Sequence, residues 1–152
     1  MRFGTLTFSL VLFLGACGGD SGTGPEEIDP GDIPGGGSNT PSRVVKATPS
    51  FANDIQEIFD RKSCGSSACH GSSQQAGLDL RSGNSYNSLV NVTATQVNMN
   101  RVTPFDPVTS YLLVKVEGRQ TIGARMPLGS TVLDSIDIQN IRNWISNGAE
   151  AN

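Results

Sequence analysis

Cys64-Gly65-Ser66-Ser67-Ala68-Cys69-His70 is the stretch on which the reading of this sequence turns. Two thiols bracket a four-residue loop, and the residue after the second is the only histidine of the 152-residue chain. Thioether bonds from both sulfurs to a porphyrin would bring that imidazole under the iron, the logic of Cys-x-x-Cys-His with a longer loop. Two other chemistries use the same residue types. A local disulfide between Cys64 and Cys69 suits an oxidising envelope and leaves His70 an ordinary surface side chain. Zinc wants four ligands, and two Cys with one His fall short of its usual closed set. A lone histidine falling by chance directly behind one of two neighbouring cysteines is improbable, so one covalent haem (haem c) is the expected cofactor.

An iron held by His70 on one face needs something on the other, and the chain has no second histidine. Met126, Met99 and a lysine remain, since Met1 belongs to the leader segment described below. Met126 lies in Gly123-Ala124-Arg125-Met126-Pro127-Leu128-Gly129, where Pro127 fixes the backbone and a flexible thioether can be held in one position. Met99 sits among Asn98, Asn100 and Arg101 and reads as a surface or gap-filling residue. Met126 is the expected distal ligand. Arg101 and Arg125 are candidates to meet the haem propionates, although an exposed arginine is the commoner case. No nucleophile and base pair, no paired acids and no phosphate loop compete, because Ser66 and Ser67 have no second His to activate them. The expectation is therefore not an enzyme.

Around this motif the sequence reads as helix and loop. Ser50 can cap a helix whose Phe51, Ile55, Ile58 and Phe59 share one face, with Arg61 and Lys62 at its end and a stop at Ser63-Cys64-Gly65. A second helix is expected to open at Asp106-Pro107 and to carry Tyr111, Leu112, Leu113 and Val116. A last helix opens near Asp134, presents Ile138, Ile141, Trp144 and Ile145, and ends at Asn147-Gly148. No run shows sustained strand alternation. The predicted class is mainly α, a small domain over residues 51–152 with a thin core that an apolar prosthetic group would complete.

The remainder is of another composition. Residues 1–16 begin with Arg2, continue through the apolar run Leu6 to Leu14 and finish in Gly15 and Ala16, the order of an export signal, and the run is too short to span a bilayer. Between Gly18 and Ser50 fall 8 of the 18 glycines and 5 of the 8 prolines. Few large apolar side chains are there, so residues 17–50 read as a solvated, disordered linker, a tether of a few tens of ångströms at roughly 5 to 6 Å times the square root of residue number. The formal net charge is -3 and the 11 Lys and Arg are scattered, which excludes a nucleic-acid-binding footprint.

Two resemblances add to this. Leu14-Gly15-Ala16-Cys17 resembles the lipobox of bacterial lipoproteins, which implies diacylglycerol on the Cys17 sulfur, cleavage before it and a membrane anchor; Gly18 in place of Asp points by the same analogy to the outer membrane. Asp54-Ile55, Ile58-Phe59, Cys64 to Gly71, Gly77-Leu78-Asp79-Leu80, Tyr86, Asp106-Pro107, Ser110-Tyr111-Leu112, Arg125-Met126-Pro127, Trp144-Ile145 and Gly148-Ala149 together are similar to small class I monohaem c-type cytochrome domains of bacterial lipoproteins. That resemblance implies a cytochrome c-like helical domain wrapped around one haem, attached at Cys64 and Cys69 and ligated by His70 and Met126. It also implies that the helices bearing Phe59 and Trp144 pack against each other, and that single electrons pass between redox partner proteins of the cell envelope. Many such domains hold the His ring with the carbonyl of a proline soon after the motif; Gly71 to Leu80 has no proline, so that acceptor is open. The rival readings are a haem-free interaction lipoprotein with a Cys64–Cys69 disulfide, a haem peroxidase, and a thiol oxidoreductase.

Overall fold

The computed structural model describes residues 43–129 and 131–152. The signal segment, Cys17 and the linker as far as residue 42 lie outside the described residues. The Ser50 hydroxyl accepts the Asn53 N–H at 3.3 Å, and the helix it caps takes one wide π turn, Phe51–Ile55, before continuing as α1, Gln56–Arg61. α1 stops where Ser63 turns left-handed (φ +54°), so that the Ser63 N–H reaches the Asp60 carbonyl at 3.0 Å and the Cys64 N–H the Phe59 carbonyl at 2.8 Å. This paired closure satisfies carbonyls that a helix end leaves open, and it delivers Cys64 directly from the end of a buried helix.

Three further helices follow: α2, Ser85–Leu89; α3, Tyr111–Glu117; and α4, Ser135–Ser146. The chain is mainly α, and the described residues contain only isolated β-bridges, such as Val90 with Val102, and no strand. α4 opens on Asp134, whose carboxylate accepts the Asp137 N–H at 3.0 Å, and closes at Gly148 with φ +102°. Ile141, Trp144 and Ile145 of α4 are buried with Ile55, Ile58 and Phe59, so the first and last helices share one core. Phe51 lies between Tyr86 and Trp144 with both ring centroids at 5.2 Å. The polar ends of those two partners are satisfied: Tyr86 Oη donates to Ala149 O at 3.0 Å and Trp144 Nε1 to Glu150 O at 2.9 Å.

Three features depart from the sequence reading. α3 begins at Tyr111, not at Asp106-Pro107, because Asp106 spends its carboxylate on a preceding turn, accepting from the N–H groups of Val108 (3.0 Å) and Thr109 (3.1 Å). α2 was not anticipated, its Ser85-Tyr86-Asn87-Ser88-Leu89 having little helix propensity of its own. The domain boundary also moves, since residues 43–50 run along α4 instead of belonging to the linker. Asn140, Asn143 and Asn147 form a ladder on one face of α4. Asn140 accepts the Lys46 N–H at 2.8 Å and donates to Val44 O at 3.0 Å, Asn143 donates to Lys46 O at 2.6 Å, and Asn147 donates to Ala47 O at 2.7 Å. Arg43 closes the ladder on Asp134 (2.6 Å) and on the buried Asp137 (2.8 Å), whose same oxygen also receives Arg61 of α1 at 2.7 Å.

The Arg43 guanidinium, helped by the Asp137 N–H, holds the Asp134 carboxyl below its ordinary value. A depressed folded-state value means stability that is present above the unfolded carboxyl value of about 3.9 and is lost as pH falls through the lower folded one. Asp134→Asn keeps a capping side chain but removes the charge. Its thermal midpoint is expected below that of the parent at pH 7, with the gap narrowing between about pH 4 and pH 2; a gap independent of pH would contradict the Arg43–Asp134 latch.

Candidate functional site

The segment from Cys64 to His70 is closed by its own backbone. Cys69 N–H donates to Ser66 O at 3.0 Å, His70 N–H to Cys64 O at 3.1 Å and Gly71 N–H to Ser66 O at 2.9 Å, while Leu80 N–H ties the loop to the following chain through His70 O at 2.7 Å. Such closure is possible only because Gly71 has no side chain. A Cβ there would lie 2.4 Å from Gly65 O and 2.6 Å from Ser66 O, both backbone atoms that cannot move aside. Gly65 is also tight, its Cβ position falling 3.1 Å from Leu80 O.

This loop forms one wall of a cavity of about 870 Å³. Cys64, Cys69 and His70 line that wall, and Met126 with Pro127 lines another. Met99 does not line it. Phe59, Leu78, Leu80, Leu112 and Leu133 supply apolar lining. The cavity is partly open to solvent, and its volume falls inside the roughly 300–1,000 Å³ range of ligand sites.

α3 holds the Met126 side of the cavity. Its last turn leaves carbonyls free, and Met126 N–H donates to Lys115 O at 3.0 Å, Arg125 Nε to Val116 O at 2.9 Å and Arg119 N–H to Val114 O at 3.0 Å. Lys115 Nζ adds a bond to Ala124 O at 2.5 Å. The Met126–Pro127 peptide is cis. Met126 is thus bonded through its backbone to a helix end, and its side chain packs, partly buried, against the core.

Two groups in the cavity wall were not anticipated, and a third, Arg101, is engaged differently from expectation. The acceptor for the His70 ring is the Gln75 carbonyl, 2.9 Å from Nδ1; a backbone carbonyl leaves no trace in sequence. Tyr111 lines the cavity, while its Oη is buried away from solvent and, among the described residues, has no hydrogen-bond partner. Arg101, expected on the surface, is only 7% exposed. It donates to the carbonyls of Ser88 (2.7 Å) and Ala76 (3.0 Å), and among the described residues it meets no carboxylate. Arg125 is exposed and does not line the cavity.

The electrostatics of the wall are one-sided. Arg61, Lys62, Arg101 and Lys115 line it and no carboxylate does, in a chain whose net charge is -3. Burial pushes the Cys64 thiol up to about 11, with a smaller contribution from neighbouring Cys69. Burial also lowers the His70 imidazole below its ordinary value, opposed by its bond to Gln75 O. The neutral ring is the form that donates from Nδ1 to a carbonyl and keeps a lone pair on Nε2.

No family model, curated protein or solved structure matches this chain. The site therefore stands on its own chemistry. The donor set fits a covalently held haem: two sulfurs and an imidazole from one loop, a thioether from another segment, apolar lining, and several cations for the acidic edge of a porphyrin. Among the described residues no cluster of three His, Cys, Asp or Glu side chains offers a bare metal ion an alternative.

Gly71→Ala is expected to destabilise the fold by about 1–3 kcal/mol in urea unfolding, because the added methyl meets fixed backbone. Gly65→Ala, whose contact is looser, should cost less. Equal losses, or a neutral Gly71→Ala, would mean that the loop does not close as described.

Proposed function

We propose that this chain is a membrane-anchored c-type cytochrome carrying single electrons between redox partner proteins of a bacterial cell envelope. The observation that carries the reading is the convergence of Cys64, Cys69, His70 and Met126 on one cavity, three of them from a single loop and the fourth from a segment more than fifty residues away. In this reading Cys64 and Cys69 hold the porphyrin through thioether bonds, His70 Nε2 and the Met126 sulfur are the axial ligands, and the cytochrome c-like domain wraps around one haem. Bound there, haem supplies a one-electron couple, and a thioether ligand favours its ferrous form.

The chain's own groups do the rest. Gln75 O, accepting from His70 Nδ1, leaves Nε2 as the nitrogen with a free lone pair. The bonds from Met126 N–H to Lys115 O and from Lys115 Nζ to Ala124 O hold the thioether loop on a rigid helix end. The Lys62 and Lys115 ammonium groups would offer donors to propionates. Phe59, Leu78, Leu80 and Leu112 exclude water from the ring faces. With its value near 11, the Cys64 thiol is a poor source of thiolate at neutral pH, which weighs against a thiol oxidoreductase. If His70 and Met126 both ligate the iron, no site is left for peroxide, which weighs against a peroxidase.

Cys17, the lipobox cysteine, would carry the lipid, and the linker that follows would let the domain reach its partners. The outer membrane is the proposed location, on the Gly18 analogy.

When the full chain is made with cytochrome maturation machinery, haem is expected to stay on the denatured polypeptide and to add its mass. The double variant Cys64→Ser/Cys69→Ser should carry none, and a parent protein of bare polypeptide mass with no Soret absorption would remove the proposal. Met126→Ala is expected to retain attached haem, lose the Met-to-iron absorption band and lower the potential by on the order of a hundred millivolts; an unchanged spectrum would exclude Met126 as ligand. Cys17→Ser should move the protein from the membrane to the soluble fraction on cell fractionation, whereas continued partitioning into membranes would refute the lipid anchor.

A further inference from the structure

Three of the four residues from Gln74 to Gly77 have left-handed backbones: Gln74 at φ +45°, Ala76 at φ +58° and Gly77 at φ +66°. For Gln74 and Ala76, which carry a Cβ, that conformation is strained, so the turn depends on outside bonds to persist. It carries the Gln75 carbonyl, which stands 2.9 Å from His70 Nδ1. The outside bonds converge on the next carbonyl along. Ala76 O accepts from Arg101 Nη2 at 3.0 Å and from Thr95 Oγ1 at 3.1 Å.

Arg101 is well built for this. Its Nη1 donates to Ser88 O at 2.7 Å and approaches Ser88 Oγ at 3.3 Å, in the last turn of α2, and Ser88 Oγ in turn accepts the Asp79 N–H at 3.0 Å. The Arg101 backbone is fixed on both sides, its N–H on Val92 O at 2.8 Å and its carbonyl by the Leu112 N–H at 2.9 Å. A guanidinium this buried with no carboxylate beside it is costly, and here its planar fork spans two backbone carbonyls from separate segments, a task an ammonium group cannot perform with the same geometry.

We propose that Arg101 is a positioning residue for His70: by clamping Ala76 O it holds the strained turn so that Gln75 O accepts the Nδ1 proton and Nε2 keeps a free lone pair. The inference deepens the haem reading and rests on it for its effect on potential, but the ring tautomer can be read without haem. A carbonyl bond at Nδ1 raises the electron density of the ring and favours the ferric state, so loosening the clamp weakens that bond and raises the potential. Removing a positive charge near the site would act oppositely, so the diagnostic variants are charge-conserving.

Arg101→Lys keeps the charge and loses the fork, and Thr95→Val removes the other donor to Ala76 O without touching Arg101. Both are made in the full haem-loaded chain, with ring-nitrogen-labelled histidine; one imidazole in the chain means one pair of signals. In the ferrous form of Arg101→Lys the Nδ1 proton is expected to exchange about tenfold faster than in the parent, with a raised potential and haem still attached, and Thr95→Val should shift both in the same direction by less. Exchange within about twofold of the parent and an unchanged potential in both variants would overturn the clamp. If Arg101→Lys does not fold, Thr95→Val decides by the same criteria. If the parent itself carries no covalent haem, the cytochrome reading has failed independently; the nitrogen shifts of the haem-free chain then test the clamp, a proton on Nδ1 in the parent and a tautomer mixture in Arg101→Lys supporting it, and identical shifts refuting it.

Discussion

A chain with a single imidazole must bring that ring to its site by local geometry, and the contact of Gly71 with the backbone of Gly65 and Ser66 is where this happens. The close approach lets the carbonyls of Cys64 and Ser66 receive the N–H groups of His70 and Gly71, turning a four-residue spacer into a closed loop. Two sulfurs and a ring then share one wall of the cavity. The longer spacing between the cysteines, which in sequence looks like slack, is taken up by these bonds. What sits on either side follows from the same closure: α1 ends in the left-handed Ser63 that launches Cys64, and Leu80 N–H bonds His70 O to send the chain back toward the core.

How much of this could be read in advance depended on how local each signal was. α1 and α4 were legible because their apolar faces repeat at helical spacing and their caps, Ser50 and Asp134, lie next to them. The start of α3 was misread because Asp106-Pro107 is equally good chemistry for a turn, and only the bonds to Val108 and Thr109 decide between them. The segment at 43–50 was hidden by composition. Gly and Pro content upstream colours the whole stretch as linker, while the asparagines that bind it lie about a hundred residues away on α4. In the site, side chains with a chemistry of their own (Cys64, Cys69, His70, Met126) were legible. Gln75 was not, because it acts through a carbonyl that every residue has, and Arg101 was not, because its role depends on which carbonyls surround it.

The wall opposite the cysteine loop has a different logic. α3 is short, and its value to the site lies in its end: the carbonyls of Lys115 and Val116 receive Met126 N–H and Arg125 Nε, while Val114 O takes both Gly118 and Arg119 N–H. A helix terminus thus becomes the mount for the thioether, with Lys115 acting twice, through its carbonyl on Met126 and its ammonium on Ala124. Because that ammonium faces the cavity alongside Lys62 and Arg101, the wall carries positive charge in an otherwise acidic protein. A dianionic porphyrin, if bound there, would meet that charge.

One carboxylate joins the two ends of the domain. Asp137 is buried at the first turn of α4, and the same oxygen receives Arg43 from the entering segment and Arg61 from the last turn of α1. Arg61 immediately precedes the turn that presents Cys64. The place where the chain arrives from its linker is therefore coupled, through one buried acid, to the helix that carries the attachment loop. Breaking either arginine contact leaves the other to neutralise a buried charge alone, which is costly in a poorly solvated position. Residues 43–50, the first helix and the last helix consequently hold together through one carboxylate and the asparagines that bind the entering segment.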